Sequence, residues 1–304
     1  MHALSILLNP SILAVLTLFL SVVWMLRDQT DKTRAMLVIA IGLNFFFATL
    51  LVYFMKRESA AFPWKFDPIL FRIDSALGVS AASIARPLLK HFGDPLIIIY
   101  KLMVPMMICW IPVTRYRNPS ASVVLAYVAE LIAAPILYAI LPACGPIYAF
   151  GANWLNPPVV DASVIRLSQM PNAFPSLHMA TAFVLVLFAP GKFWKGIALI
   201  FLTGTALATI ATGEHYLIDL VPGLAFGAFA AGVGYRRRRE AIFSLSVVLL
   251  WALSVRFGYR FLLAFPGVTL VLVLLTLALA IFAVGRYWGM QRSAAVEPPG
   301  TAAG

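Results

Sequence analysis

Apolar runs of about 17–25 residues recur along this chain, and that is the length an α-helix needs to cross a bilayer. The sequence places spans at roughly 11–26, 35–55, 94–113, 120–142, 177–191, 195–212, 216–235, 241–257 and 265–285. Hydrophobic residues make up 62% of the chain and charged residues 12%, which leaves no stretch able to form a separate soluble domain. The expected fold class is an all-α integral membrane protein, a polytopic helical bundle. Its expected divisions are N-terminal spans at 1–56, an external amphipathic segment at 57–93, a membrane core at 94–235, C-terminal spans at 236–292 and a disordered tail at 293–304. No Lys or Arg precedes the first run, whereas Arg27, Lys32 and Arg34 follow it. That is the reverse of a signal peptide's charge order, so the run reads as a span.

The same cations set an orientation. Segments 27–34, 114–118, 191–195, 236–239 and the tail carry 3, 2, 2, 4 and 2 Lys/Arg, 13 of the 23 in the chain. They fall on alternate turns and share one side, read as cytoplasmic. The expected topology is an integral protein of the cell membrane, N-terminus outside and C-terminus inside. Segments 143–176 and 213–215 then share the outer side, which brings His178 and His215 to one membrane surface although they are far apart in sequence. Residues 56–93 depart from the charge rule, being external yet carrying Lys56, Arg57, Lys65, Arg72, Arg86 and Lys90. Either this is a long loop that did not control insertion, or some of its cations face a reaction centre and bind an anion.

A net charge of +11 does not point to nucleic acid, because much of it flanks cytoplasmic span ends, Arg236 to Arg239 included, where it meets anionic lipid. Cys109 and Cys144 fall on opposite membrane faces and cannot form a disulfide. Neither has metal-ligand spacing to another Cys or His, so no metal and no cofactor are expected. His2 and His91 read as interfacial polar residues.

Within 57–93, apolar residues at 69, 70, 73 and 77 have helical spacing, with Asp67 as N-cap and Pro68 at the first helical position. This predicts an amphipathic helix at the outer interface, and a second short helix over Ser80 to Lys90. Residues 143–175 are rich in Pro and Gly and carry Tyr148, Phe150 and Trp154, which suit an interfacial belt. They read as a long loop folded over the site. No internal repeat is visible, which removes the best sequence signature of an inverted-repeat transporter.

Two segments carry the chemistry: Pro175-Ser176-Leu177-His178 and His215-Tyr216-Leu217-Ile218-Asp219. Ser176 is a natural N-cap, and the free N–H groups of a helix start form an anion site suited to a phosphoryl group. His178, in the first turn, is placed to protonate a leaving oxygen. The i, i+4 spacing of His215 and Asp219 puts both side chains on one helix face, where the carboxylate fixes the imidazole's tautomer and raises its basicity. Two imidazoles and a carboxylate suit phosphoryl transfer through a phosphohistidine, with one His attacking and the other protonating the departing alkoxide. Glu130, near mid-membrane, needs a partner; Lys101, a proton relay and a structural polar contact are all open. Lys101 itself either snorkels to the interface or faces the site.

These motifs resemble the second and third signature motifs of the type 2 phosphatidic acid phosphatase superfamily. The string His-Tyr-Leu-Ile-Asp-Leu and the upstream Asp67-Pro-Ile-Leu-Phe-Arg-Ile-Asp are most similar to its inositol-phosphorylceramide-synthase-like branch. The resemblance covers roughly residues 65–235. It implies a six-helix core with additional spans, His215 as nucleophile, Asp219 as its orienting partner, His178 as general acid, and Ser176 among the phosphate contacts.

The chain departs from that pattern. Ala208 and Thr209 stand where the third motif has Ser-Arg, and Leu177 replaces a Gly. Lys65 and Arg72 have the first motif's spacing, but Ile73 replaces its Pro. The missing positive charge must come from elsewhere, and Arg72, Lys101, Arg166 and Lys65 are the candidate substrate-binding cations. The expected activity is a metal-independent lipid phosphatase or inositol-type phosphotransferase at the outer leaflet. Its partners are a phospholipid or sphingolipid phosphate and, for transfer, a polyol or lipid hydroxyl acceptor. The alternatives are a lipid or anion transporter and a catalytically inactive lipid-binding relative.

Overall fold

The structure, a computed structural model, describes residues 32–117, 121–156 and 161–296. Serine caps and prolines cut the apolar runs into eleven α-helices among the described residues. They are α1 (Lys32–Ala61), α2 (Asp67–Ala76), α3 (Ala81–Lys101), α4 (Met103–Arg117), α5 (Val123–Ile140), α6 (Pro146–Phe150), α7 (Leu177–Phe188), α8 (Gly191–Ala211), α9 (Leu217–Gly234), α10 (Arg238–Ala264) and α11 (Pro266–Val296). Ser80, Ser122 and Ser176 cap α3, α5 and α7 by accepting the N–H groups of Ser83, Leu125 and Met179. Among the described residues the strand content is one antiparallel pair of two residues each, β1 (Trp64–Lys65) and β2 (Ile165–Arg166), with Trp64 opposite Arg166. Five of the described helices, α5, α8, α9, α10 and α11, are long and apolar enough to cross a membrane. The chain is an all-α polytopic membrane protein.

Helix α9 is the hub. It packs against α5, α7, α10 and α11, and 78% of its apolar window is buried. A helix that is hydrophobic all round belongs inside a bundle. Its contact with α7 is unusually close. A Cβ on Gly227 would come 2.5 Å from the Ala180 carbonyl oxygen, and one on Gly223 would come 2.8 Å from that of Ser176. Small residues four apart let two backbones approach in this way. The start of α7 is thereby pressed onto the start of α9, and the Ser176 N–H donates to the Asp219 carbonyl at 3.2 Å.

The basic turns lie at the other end. Tyr235 Oη donates to the Leu187 carbonyl, Trp288 Nε1 donates to that of Val186, and Lys195 sits 4.4 Å over the Trp288 ring. The 18 residues of α9 rise about 27 Å between its two ends, so Lys195 and the run from Arg236 are a helix length away from His215.

Several sequence expectations need correction. The run expected as one span at 94–113 is divided: α3 begins thirteen residues earlier, bends at Phe92 (φ −136°, ψ 19°) and ends at Lys101, and α4 begins at Met103. Helices α2 and α3 meet at 89°. Helix α7 has 12 residues, about 18 Å, and falls short of the hydrocarbon thickness, because Pro190 stops it. The span at 11–26, His2, and the tail beyond Val296 lie outside the described residues.

Candidate active site

Ahead of α9, the His215 imidazole is fixed by its Nδ1. That atom lies 3.0 Å from Asp219 Oδ1 and 3.1 Å from the Ala173 carbonyl oxygen. A backbone carbonyl can only accept, so Nδ1 carries the proton and donates. This leaves Nε2 as the unprotonated nitrogen, and its lone pair accepts the Ser176 hydroxyl at 3.2 Å. Ser176 Oγ at the same time accepts from the Met179 N–H. Asp219 spends its second oxygen on the Tyr216 N–H at 2.9 Å, so both carboxylate oxygens are held. His215 and Asp219 are buried. Burial pulls the His215 pKa down. The charge and hydrogen bond of Asp219, then Glu214 and the Ala173 carbonyl, outweigh it and leave the pKa above its ordinary 6.5.

His178, in the first turn of α7, faces this imidazole with ring centroids 5.7 Å apart. Its other face stacks on Tyr100 of α3 at 4.4 Å and 26°. The ring is partly exposed, and neither nitrogen has a hydrogen-bond partner among the described residues. The structure thus brings Ser176, His178, His215 and Asp219 together at one end of the bundle.

Helix α2 clamps the segment that carries the nucleophile candidate. Asp74 accepts the N–H groups of Leu217 and Ile218, two of the orphan donors at the start of α9, at 2.8 and 2.9 Å. Asp67 accepts Tyr216 Oη–H at 2.9 Å and the N–H of Gly145 at 2.8 Å, together with that of Cys144. Asp67 is therefore not the N-cap expected from sequence; Phe66 is, and the Asp67 carboxylate is drawn away to buried donors.

The cations fare differently. Lys65 is fully buried and its Nζ donates to the Phe62 carbonyl at 2.7 Å, so it is turned into the protein rather than toward a substrate. This corrects its place among the expected substrate contacts. Arg72 and Arg166 are exposed and Lys101 is partly exposed; among the described residues none of the three makes a side-chain hydrogen bond or ion pair. Lys101 directly follows Tyr100, the residue stacked on His178. At the positions of the absent motif pair, Ala208 and Thr209 are buried, and Thr209 Oγ1 bonds back to the Ala206 carbonyl.

Some functional neighbours were not found by sequence reasoning. Tyr100 and the Ala173 carbonyl touch the two imidazoles from distant segments and leave no local signal. Glu214, immediately before His215, accepts the hydroxyl of Tyr148 at 2.8 Å. Burial pushes its carboxyl above the ordinary value, against the hydrogen bond from Tyr148 and the charge of His215. Trp154, expected in an interfacial belt, is buried against Gly213, whose φ is +72° and on which a Cβ would come 2.9 Å from the indole, leaving no room for a side chain. Glu130 finds its partner in Thr181, whose hydroxyl donates to it at 2.9 Å.

A family model described as the PAP2 superfamily matches residues 68–233, more than half of the chain of 304. No curated protein and no solved structure matches it.

Proposed function

Because the chain belongs to the PAP2 superfamily, whose members are generally phosphatases, we propose that it cleaves lipid phosphates or phosphodiesters through a phosphohistidine on His215. The observation that carries this reading is the tautomer. Nδ1–H is committed to Asp219 and Ala173, so the nucleophilic lone pair is on Nε2, directed at the space shared with Ser176 and His178.

In the first half-reaction Nε2 attacks phosphorus and the bond to the leaving oxygen breaks. His178, protonated when the anionic phosphate binds beside it, gives that oxygen its proton. Asp219 stabilises the charge that develops on the His215 ring, as a buried carboxylate does beside other catalytic imidazoles. Ser176 and the free N–H groups opening α7 receive the phosphoryl oxygens. The second half-reaction passes the phosphoryl group to water or to an alcohol. The active site faces the outer leaflet in this reading, because the basic turns at 191–195 and 236–239 lie at the opposite end of the bundle. The chemistry requires no metal.

The test is to trap the intermediate. Purified protein is mixed with phosphatidic acid radiolabelled in its phosphate, denatured within the first turnover, and assayed for an acid-labile, base-stable label on protein. Label that depends on His215 supports the reading; turnover without any labelled enzyme removes it.

A further inference from the structure

The first half-reaction leaves Glu214 unused, although it adjoins the nucleophile. Its position is tightly built. The Glu214 N–H donates to the Thr209 carbonyl, and a Cβ on Gly145 would come 2.2 Å from the Glu214 carbonyl oxygen. Gly145, at φ +96°, opens helix α6, and α6 carries Tyr148. The same backbone contact that seats α6 on residue 214 therefore sets the bond between the Tyr148 hydroxyl and Glu214 Oε1. Oε2 has no partner among the described residues and is not sealed from solvent. The carboxylate is within electrostatic range of His215, its chain neighbour, and of Tyr100, the ring stacked on His178.

A carboxylate is a poor neighbour for phosphoryl oxygens, which only accept hydrogen bonds and carry like charge. It is a good neighbour for an O–H group. We infer that Glu214, anchored by Tyr148, receives the incoming hydroxyl of the second half-reaction, water or alcohol, at its free Oε2. The acceptor oxygen attacks phosphorus while the P–Nε2 bond breaks and returns its electron pair to His215. The hydroxyl proton passes to Glu214, and from there to solvent. Burial, which favours the protonated carboxyl, makes Glu214 a better proton acceptor than an exposed glutamate. This assignment rests on the phosphohistidine reading above.

The experiment separates the two. Full-length protein in detergent is given phosphatidic acid labelled in its phosphate, with and without added glycerol as the alcohol probe. Both the labelled enzyme and the ratio of glycerol phosphate to inorganic phosphate are followed. Glu214→Gln should still become labelled, lose its label at least about a hundredfold more slowly, the lower end of a general-base contribution, and change the glycerol-to-water ratio. Glu214→Asp should recover part of the rate. Tyr148→Phe, which frees the carboxylate without removing it, should alter the ratio with little effect on labelling. If Glu214→Gln does not accumulate as folded protein, Tyr148→Phe decides. Loss of label at the unmodified rate with an unmodified ratio, in Glu214→Gln or in Tyr148→Phe where that decides, overturns the assignment. Unmodified protein that turns over without ever being labelled refutes the phosphohistidine instead.

Discussion

The carboxylate of Asp74 takes the backbone N–H of Leu217 at 2.8 Å, joining helix α2 to the first turn of α9. With its second oxygen on Ile218, Asp74 does for α9 what an N-cap side chain does locally, but from a distant segment. Asp74→Ala leaves the buried Ile218 N–H unpaired, at a cost of about 1–3 kcal/mol, and the part-buried Leu217 N–H, at a smaller cost. The expected result is a lower unfolding midpoint in detergent and reduced turnover, with Asp74→Asn losing less because its amide oxygen still accepts. A midpoint within error of the unmodified protein for Asp74→Ala would show that α2 does not hold the site.

His215→Ala removes the only group proposed to form the covalent intermediate, so turnover and labelled enzyme should both vanish. Asp219→Asn should keep the fold and lose on the order of 10⁴ in kcat, as when another buried carboxylate partner of a catalytic imidazole is neutralised. The Asn amide nitrogen would face Nδ1 as a donor and favour the wrong tautomer. Normal kinetics in either variant counts directly against Nε2 as nucleophile.

What local spacing encodes was legible, and what distant chain segments supply was not. His215 stands just ahead of α9 rather than on its face, yet four residues still bring it to Asp219 in the first turn, and Ser176 is a cap three residues before the N–H it binds, so both contacts are local in the order of residues. Asp67 shows the limit. Its position before Pro68 and an apolar stripe reads as a local cap, yet buried donors at Cys144, Gly145 and Tyr216 compete for the same carboxylate and win. Nothing near residue 67 announces them. The aromatic cover of His178 was hidden in the same way, because Tyr100 comes to it from α3, a distant segment. Gly223 and Gly227 were a usable signal for the close seam between α7 and α9.

The raised pKa of His215 has a direction that kinetics can read. As nucleophile the imidazole must be neutral, so kcat/KM should fall as pH drops through a value above 6.5. The opposite sign applies to stability. His215 contributes most below its unfolded-state pKa, and that contribution is lost as pH rises through the folded-state value. Asp219→Asn removes the largest cause of the upward shift and should move the acid limb down. Profiles of kcat/KM across about pH 5 to 9 for both proteins check this. An acid limb at or below 6.5 in the unmodified protein, or one unmoved by the substitution, contradicts it.

Turnover should persist in EDTA. The proposed chemistry balances phosphate charge with side chains and a helix start. Among the described residues no three of His, Cys, Asp and Glu are grouped as a metal would require. Activity abolished by chelator and restored by one divalent ion would mean that a metal carries the charge instead.

A phosphoryl group needs more positive charge than two imidazoles supply, and buried Thr209 cannot provide it. The three candidate cations, Arg72, Lys101 and Arg166, are at least partly exposed and make no side-chain hydrogen bond or ion pair among the described residues. Each is therefore free to meet a ligand without first breaking a native contact. Lys101 is nearest along the chain to the stacked pair of Tyr100 and His178. Arg72 rides on α2, whose buried face holds Asp67, Ile69, Leu70, Ile73 and Asp74 against the nucleophile segment. Removing the cation that grips phosphate should cost about 2–4 kcal/mol of transition-state stabilisation, the loss expected for one preorganised contact. If that cation is Arg72 or Arg166, replacement by Lys should recover little, since an ammonium cannot reproduce the bidentate fork. Steady-state kinetics of Arg72→Ala, Lys101→Ala and Arg166→Ala decide. At least one should show the loss in kcat/KM, and three unmodified values would mean that none of these cations binds the phosphate.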